Sequence, residues 1–164
     1  MSKYELELKK ILSGEEEPIE KATRTLEADK RMIYKKLLER PFGVVRGAGS
    51  LGIDILAMRG ERYFPIEVKS SKKSPIYFSD HGNDEQAEEF LELSRKAKFP
   101  LLYAFRLKGI RGEKWRIFQL DRKVSEKFYP WIPTAQRTSH GNRKLEFSEG
   151  LWLSNFLAMI LGNE

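Results

Sequence analysis

The spacing of hydrophobic positions changes several times along the chain, and each change predicts an element. Over residues 2–12, Tyr4, Leu8, Ile11 and Leu12 fall at helical intervals. The stretch "SGEEEP" breaks that pattern. Pro18 suits the first turn of a second helix, which carries Leu26, Ile33, Tyr34 and Leu37 along one side until Pro41 stops it. "FGVVRGAG" reads as a strand entering a glycine loop. "IDILAM" and "YFPIEVKSS" read as two arms of a hairpin turning at Arg59-Gly60-Glu61-Arg62. Residues 84–98 bring Phe90, Leu91 and Leu93 together as a helix, and the nearly unbroken apolar run "PLLYAFRL" predicts a central strand with "KWRIFQL" as its partner. "KFYPWIPTAQRTSHGN" is irregular and aromatic, "RKLEF" is a short strand, and residues 149–161 close the chain as a helix. Helix, three strands, helix, two strands describes an α/β protein with a mixed central β-sheet flanked by helices.

Composition narrows the picture without deciding it. The 164 residues suit one domain with a sizeable core. No apolar run approaches the ~20 residues that span a bilayer, and no signal-peptide pattern opens the chain, so the expected location is the cytoplasm. With no cysteine, disulfides and thiolate metal sites are excluded. "GAGSLG" lacks the lysine of a P-loop, which argues against nucleotide binding. Net charge is 30 − 24 = +6; residues 1–30 carry 6 − 8 = −2 and the remainder 24 − 16 = +8. A basic body fits a polyanionic partner, and it also fits ordinary solubility charge.

The chemistry sits in "GIDILAMRGERYFPIEVKSS". Alternation along a strand places Glu67 and Lys69 on one face, opposite Ile66 and Val68, and the hairpin sets Asp54 beside them. Two converging carboxylates repel unless a cation lies between them. Oxygen donors from Asp54, Glu67 and the Val68 backbone carbonyl suit Mg²⁺, with Mn²⁺ as a substitute, and two histidines with no cysteine argue against zinc. Lys69 is placed to orient water or offset phosphate charge. The alternative is a half-exposed hairpin whose polar face happens to be charged; an unpaired Asp54 inside "GIDILA" would then cost a few kcal/mol.

Asp54, twelve intervening residues and then Glu67-x-Lys69 resemble the core of the PD-(D/E)XK nucleases. "FGVVRGAGSLGIDILA", "PIEVKSSKKSPIYF", "DEQAEEFLELSRKA" and "KWRIF", in that order, resemble the archaeal-type Holliday junction resolvases. That resemblance implies a restriction-endonuclease-like fold and a homodimeric, Mg²⁺-dependent endonuclease that nicks opposed strands of a four-way DNA junction. Asp54 and Glu67 would bind metal and Lys69 would assist the attacking water. Ser50 matches a serine near the scissile phosphate, Arg46 a phosphate-contacting basic residue, Arg31 a basic helix position and Gln86 a glutamine near the active site. For Ser50, ordinary turn chemistry is the alternative.

Two departures stand out. The family's metal-binding glutamate, early in its first core helix, aligns without a gap to Lys30, so Glu27 and then Asp29 are the candidate replacements; both could equally be solvated helix acids. Pro65 interrupts the Glu67 strand and should face an edge, a bulge or a strand start. Residues 1–26 read as a helical extension to a nuclease domain over 27–164. Arg59, Arg62, Lys72 and Lys73 join Arg46 and Lys69 as a candidate DNA surface. The apolar segment around 128–161, rich in aromatics from Phe128 to Phe156, is a candidate dimer interface or the completion of a monomer core. Another nuclease of the superfamily, of restriction or flap type, and a non-catalytic DNA-binding protein are the competing functions.

Overall fold

The computed structural model describes residues 2–47, 53–78, 85–120 and 129–162. Three helices come first: α1 (Lys3–Leu12), α2 (Glu16–Thr23) and α3 (Ala28–Lys35), the last running into a 3₁₀ turn at Lys36–Leu38. The single long helix expected from Pro18 onward is therefore two, broken at 24–27. Arg31 fastens the break, its guanidinium donating to the carbonyls of Arg24 (3.3 Å) and Leu26 (3.1 Å).

The strands β1 (Gly43–Arg46), β2 (Ile55–Arg59), β3 (Arg62–Ser71), β5 (Leu102–Leu107), β6 (Trp115–Gln119) and β9 (Leu151–Trp152) form one sheet in the order β1-β2-β3-β5-β6-β9. It is mixed, because β3 and β5 pair in parallel across the crossover helix α4 (Glu85–Ala97) while the other neighbours are antiparallel. Gly60 supplies the positive φ that the two-residue turn between Arg59 and Arg62 requires. Pro65 is accommodated as its chemistry demands. Asp54 N–H donates to the Ile66 carbonyl, so residue 65 points its backbone the other way, and there the ladder with β5 begins only at Ile66.

Strand alternation sorts two cores. Ile55, Ala57, Phe64, Ile66, Leu102, Ala104, Trp115 and Ile117 bury one face under α1, α3 and the closing helix α5 (Leu153–Leu161). Tyr103, Phe105 and Phe118 bury the other face beneath a small sheet of β4 (Ile76–Phe78), β8 (Arg143–Leu145) and β7 (Gln136–Arg137). Residues 1–26 are no appendage in packing terms: Leu8, Ile11, Leu12, Ile19 and Leu26 belong to the main core. Much of the C-terminal apolar segment is likewise packed within the chain. Ile132, Phe156, Leu157, Ile160 and Leu161 are each at most 2% exposed, and Tyr129, Trp131, Phe64 and Phe156 pack ring on ring. Met159, 47% exposed, and the part-buried Tyr129, Trp131 and Trp152 keep some apolar surface at this end of the chain. Phe128 lies outside the described residues.

A buried carboxylate locks the helical layer to the sheet. Glu113, in the β5–β6 connection, accepts from the Tyr34 hydroxyl (2.6 Å), the Ser154 hydroxyl (2.8 Å) and the Ser154 N–H (2.7 Å), and Lys30 stands 3.4 Å away. Desolvation, followed by the charge of Glu113, pushes the Tyr34 hydroxyl well above its usual pKa, so it stays a donor. Among the described residues no helix is long and apolar enough to cross a membrane.

Candidate active site

The ladder between β2 and β3 ends at Ile55–Ile66, yet β3 continues through residues 67–71 with only β5 beside it. That splayed end is where the charged residues gather. Asp54 sits just before β2 and turns its carboxylate across the gap, Oδ2 accepting the Val68 N–H at 2.6 Å. The side chain thus takes the backbone donor that a continued β2 would have satisfied. Gly47 allows this closeness: its N–H donates to the Asp54 carbonyl at 2.9 Å, and a Cβ there would lie 2.3 Å from the Ile53 carbonyl oxygen.

Glu67 and Lys69 project from the opposite face of β3 to Val68, as alternation requires, with Lys69 Nζ 3.2 Å from Glu67 Oε1. The Lys69 ammonium also lies 4.3 Å from the centroid of the Phe78 ring, a cation–π contact. The expected trio is therefore assembled. Asp54 touches the strand that bears Glu67 and Lys69, and its carboxyl feels the charge of both.

The charge of one further acid, Glu5, reaches Asp54. Burial raises the Asp54 pKa most, the Val68 N–H opposes that rise, and the charges of Glu5 and Glu67 raise it further. Glu5 belongs to the first turn of α1, and α1 is the helix laid against β1, β2 and β3. Glu27 and Asp29, the expected completers of the site, are elsewhere. Glu27 is the exposed N-cap of α3 and Asp29 its exposed first turn, while neighbouring Lys30 reaches Glu113 and lies 4.5 Å over the Trp152 ring at the β9 edge of the sheet. Neither acid is among the charges that act on Asp54. The acid whose charge reaches Asp54 thus lies 22 residues upstream of Glu27 (27 − 5 = 22), ahead of α2 and α3.

The basic candidates divide in the same way. Arg46 is exposed at the end of β1, paired with Ile55 beside Asp54, and Lys72 and Lys73 are exposed just beyond β3. Arg59 and Arg62 flank the turn at the far end of the hairpin, about 16 Å along the strand from Asp54. There Arg59 donates to the Pro41 carbonyl (2.8 Å) and Arg62 to the Ile160 carbonyl (3.1 Å). Arg31 is held in the α2–α3 break. Arg62 ties the closing helix to the sheet, Arg59 ties the hairpin turn to the segment before β1, and Arg31 holds two helices together; none of the three is beside the acids. Ser50 and the Gln86 side chain lie outside the described residues.

Asp54 and Glu67 are hard oxygen donors in a half-buried setting with like charge nearby, which fits an oxygen-preferring dication. Among the described residues no group of three His, Cys, Asp or Glu side chains completes a metal cage. The remaining positions would fall to a backbone carbonyl such as that of Val68, to water and to phosphate oxygens, the usual complement for Mg²⁺. A pH dependence follows. Because the folded pKa of Asp54 is raised, its ionisation costs stability. The cost is absent below the ordinary carboxylate range, where folded and unfolded chains are both protonated, and it grows as pH rises towards the raised value. Asp54→Asn keeps an acceptor for Val68 and should therefore stabilise the metal-free protein near pH 7, with the gain vanishing near pH 3. Thermal melts of both proteins in EDTA at the two pH values check this; equal gains at both would contradict it.

A model of the archaeal Holliday junction resolvase family (Hjc) matches residues 22–133, a span that holds the hairpin, Asp54, Glu67, Lys69, α4, β5 and β6. Among solved structures, the chain is similar to Archaeoglobus fulgidus Hjc, a Holliday junction resolvase from an archaeal hyperthermophile. The TM-score is 0.50 at 26% sequence identity, covering 84% of this chain and 96% of that one. With the acids, the lysine and the strands that carry them all inside a match over well more than half its length, the chain belongs to the archaeal Holliday junction resolvase family.

Proposed function

We propose that this protein is a divalent-metal-dependent endonuclease that resolves four-way DNA junctions by nicking opposed strands. The observation that carries this reading is the meeting of Asp54, Glu67 and Lys69 at the splayed end of β2 and β3 in a chain of this family. Asp54 and Glu67 would hold the cation, and Glu5 would add negative charge from α1. When bound, Mg²⁺ or Mn²⁺ supplies positive charge to the phosphodiester and acidifies water.

The chain's own residues do the rest. Lys69 donates to a phosphate oxygen or to the attacking water, and its contacts with Glu67 and Phe78 fix the direction of that donation. Hydrolysis adds water across one P–O bond, leaving a phosphate end and a hydroxyl end. Arg46, Lys72 and Lys73 receive the DNA backbone around this point, reading shape and charge in preference to base edges. Ser50, near the scissile phosphate, and Gln86, near the active site, keep the places that the family resemblance implies.

Each chain contributes one such centre, so paired nicks call for a homodimer. An acidic charge on α1 beside Asp54 supports a complete catalytic site and weighs against a purely DNA-binding role. The test is cleavage of an immobile four-way junction and a matched linear duplex in Mg²⁺, Mn²⁺ or EDTA. Paired nicks confined to the junction and abolished by EDTA are expected. Junction binding without cutting in either metal would overturn the nuclease reading.

A further inference from the structure

Three cations crowd one tyrosine at the foot of α1. Arg106 Cζ lies 4.4 Å from the centroid of the Tyr4 ring, Lys108 Nζ 5.1 Å and Lys3 Nζ 5.6 Å. The negative ring face attracts each of them, but the three also repel one another well within a Debye length. Local compensation is incomplete. Glu7 Oε1 accepts from Arg106 Nε at 3.0 Å and is shared with Trp115 Nε1 at 2.9 Å. Among the described residues neither Lys3 nor Lys108 has an acidic partner.

The cluster adjoins the active centre along two routes. Lys3 and Tyr4 share the first turn of α1 with Glu5, whose charge reaches Asp54. Lys108 donates its backbone N–H to the Ser71 carbonyl at 2.8 Å, which sets it beside the end of β3 where exposed Lys72 and Lys73 follow.

From this geometry we infer that Lys3 and Lys108, gathered about Tyr4, form a phosphate-binding subsite for the DNA backbone flanking the cut. The inference rests on the nuclease reading above and extends it to a part of the chain that begins before the strands of the active centre. A phosphodiester supplies the anion that relieves the repulsion. The Tyr4 ring holds the lysines in place before DNA arrives, which limits the ordering cost of binding.

The test is the salt dependence of four-way junction binding in EDTA, with a K3Q/K108Q double variant beside a K35Q/K36Q control that removes the same charge from the exposed end of α3. Losing two phosphate contacts should make the log–log salt slope shallower by about 1.8. The control should keep the wild-type slope, and K3R/K108R should restore it. A K3Q/K108Q slope equal to the control's overturns the subsite alone. Wild type that neither binds nor cuts the junction overturns the nuclease reading beneath it.

Discussion

Glu67→Gln should lose at least about 10³-fold in single-turnover cleavage of a four-way junction while still binding it. The magnitude follows from the charge removed. Stabilisation of a phosphoryl centre by a held cation is worth several kcal/mol, and about 4 kcal/mol corresponds to three decades of rate. Glutamine keeps the volume of the side chain and an acceptor near Lys69 Nζ, which stands 3.2 Å from Glu67 Oε1, so the strand and its neighbours are undisturbed. Binding should be at least as tight as wild type, because a carboxylate facing phosphates has gone. Rates measured with saturating Mg²⁺, beside equilibrium binding in EDTA, separate the two effects. Cleavage within about tenfold of wild type would remove Glu67 from the catalytic centre.

Glu5→Gln should be the second most damaging change, lowering cleavage by about 10²-fold, a typical effect of one misplaced or missing electrostatic partner. The substitution is well suited to the question. Glu5 completes a capping box with Ser2: its carboxylate accepts the Ser2 N–H at 3.3 Å, and its own N–H donates to the Ser2 hydroxyl at 3.2 Å. Glutamine serves that box as well as glutamate does, so α1 keeps its cap and loses only the charge beside Asp54. Glu27→Gln and Asp29→Asn change exposed groups at the start of α3 and should cut as wild type does. If Glu27→Gln were the crippled variant and Glu5→Gln the active one, the assignment of α1 to the site would fail.

In the proposed mechanism Lys69 stands between these acids and the substrate, and its surroundings suit a lysine. It is partly buried between an acid and an aromatic face, so its conformational freedom is restricted. The small sheet β4–β8–β7 brings Phe78 there: Phe78 meets Tyr103 of β5 edge to face at 5.2 Å. The active centre is therefore buttressed by chain that lies well beyond the hairpin in sequence.

Much of this was legible in local sequence. The period-two pattern of "YFPIEVKSS", the glycine at the turn and the apolar run "PLLYAFRL" specify a hairpin and a central strand through backbone sterics and burial alone. Alternation then puts Glu67 and Lys69 on one face, and the hairpin carries Asp54 to them, so the meeting of these three residues is a property of neighbours in sequence. The break between α2 and α3 carries no glycine or proline to announce it. The strand read in "RKLEF" is β8, but its three-residue partner β4 lies more than sixty positions away, too short to stand out and too distant for local pattern to pair them.

Tertiary packing decided the rest. Which helix lies against β1–β3 depends on how α1, α2 and α3 share the sheet's apolar face, and that choice made Glu5 the nearby acid and left Glu27 at the surface. Arg59 and Arg62 look adjacent to the acids along the chain, but an extended strand carries them to the other end of the hairpin. Hydrophobic spacing shows that the C-terminal segment must be buried without saying against what; here α5 closes over the chain's own sheet. Local pattern determined the elements and the three residues they align. The contacts between elements far apart in sequence, which depend on the free energy of the whole core, determined which charges surround them.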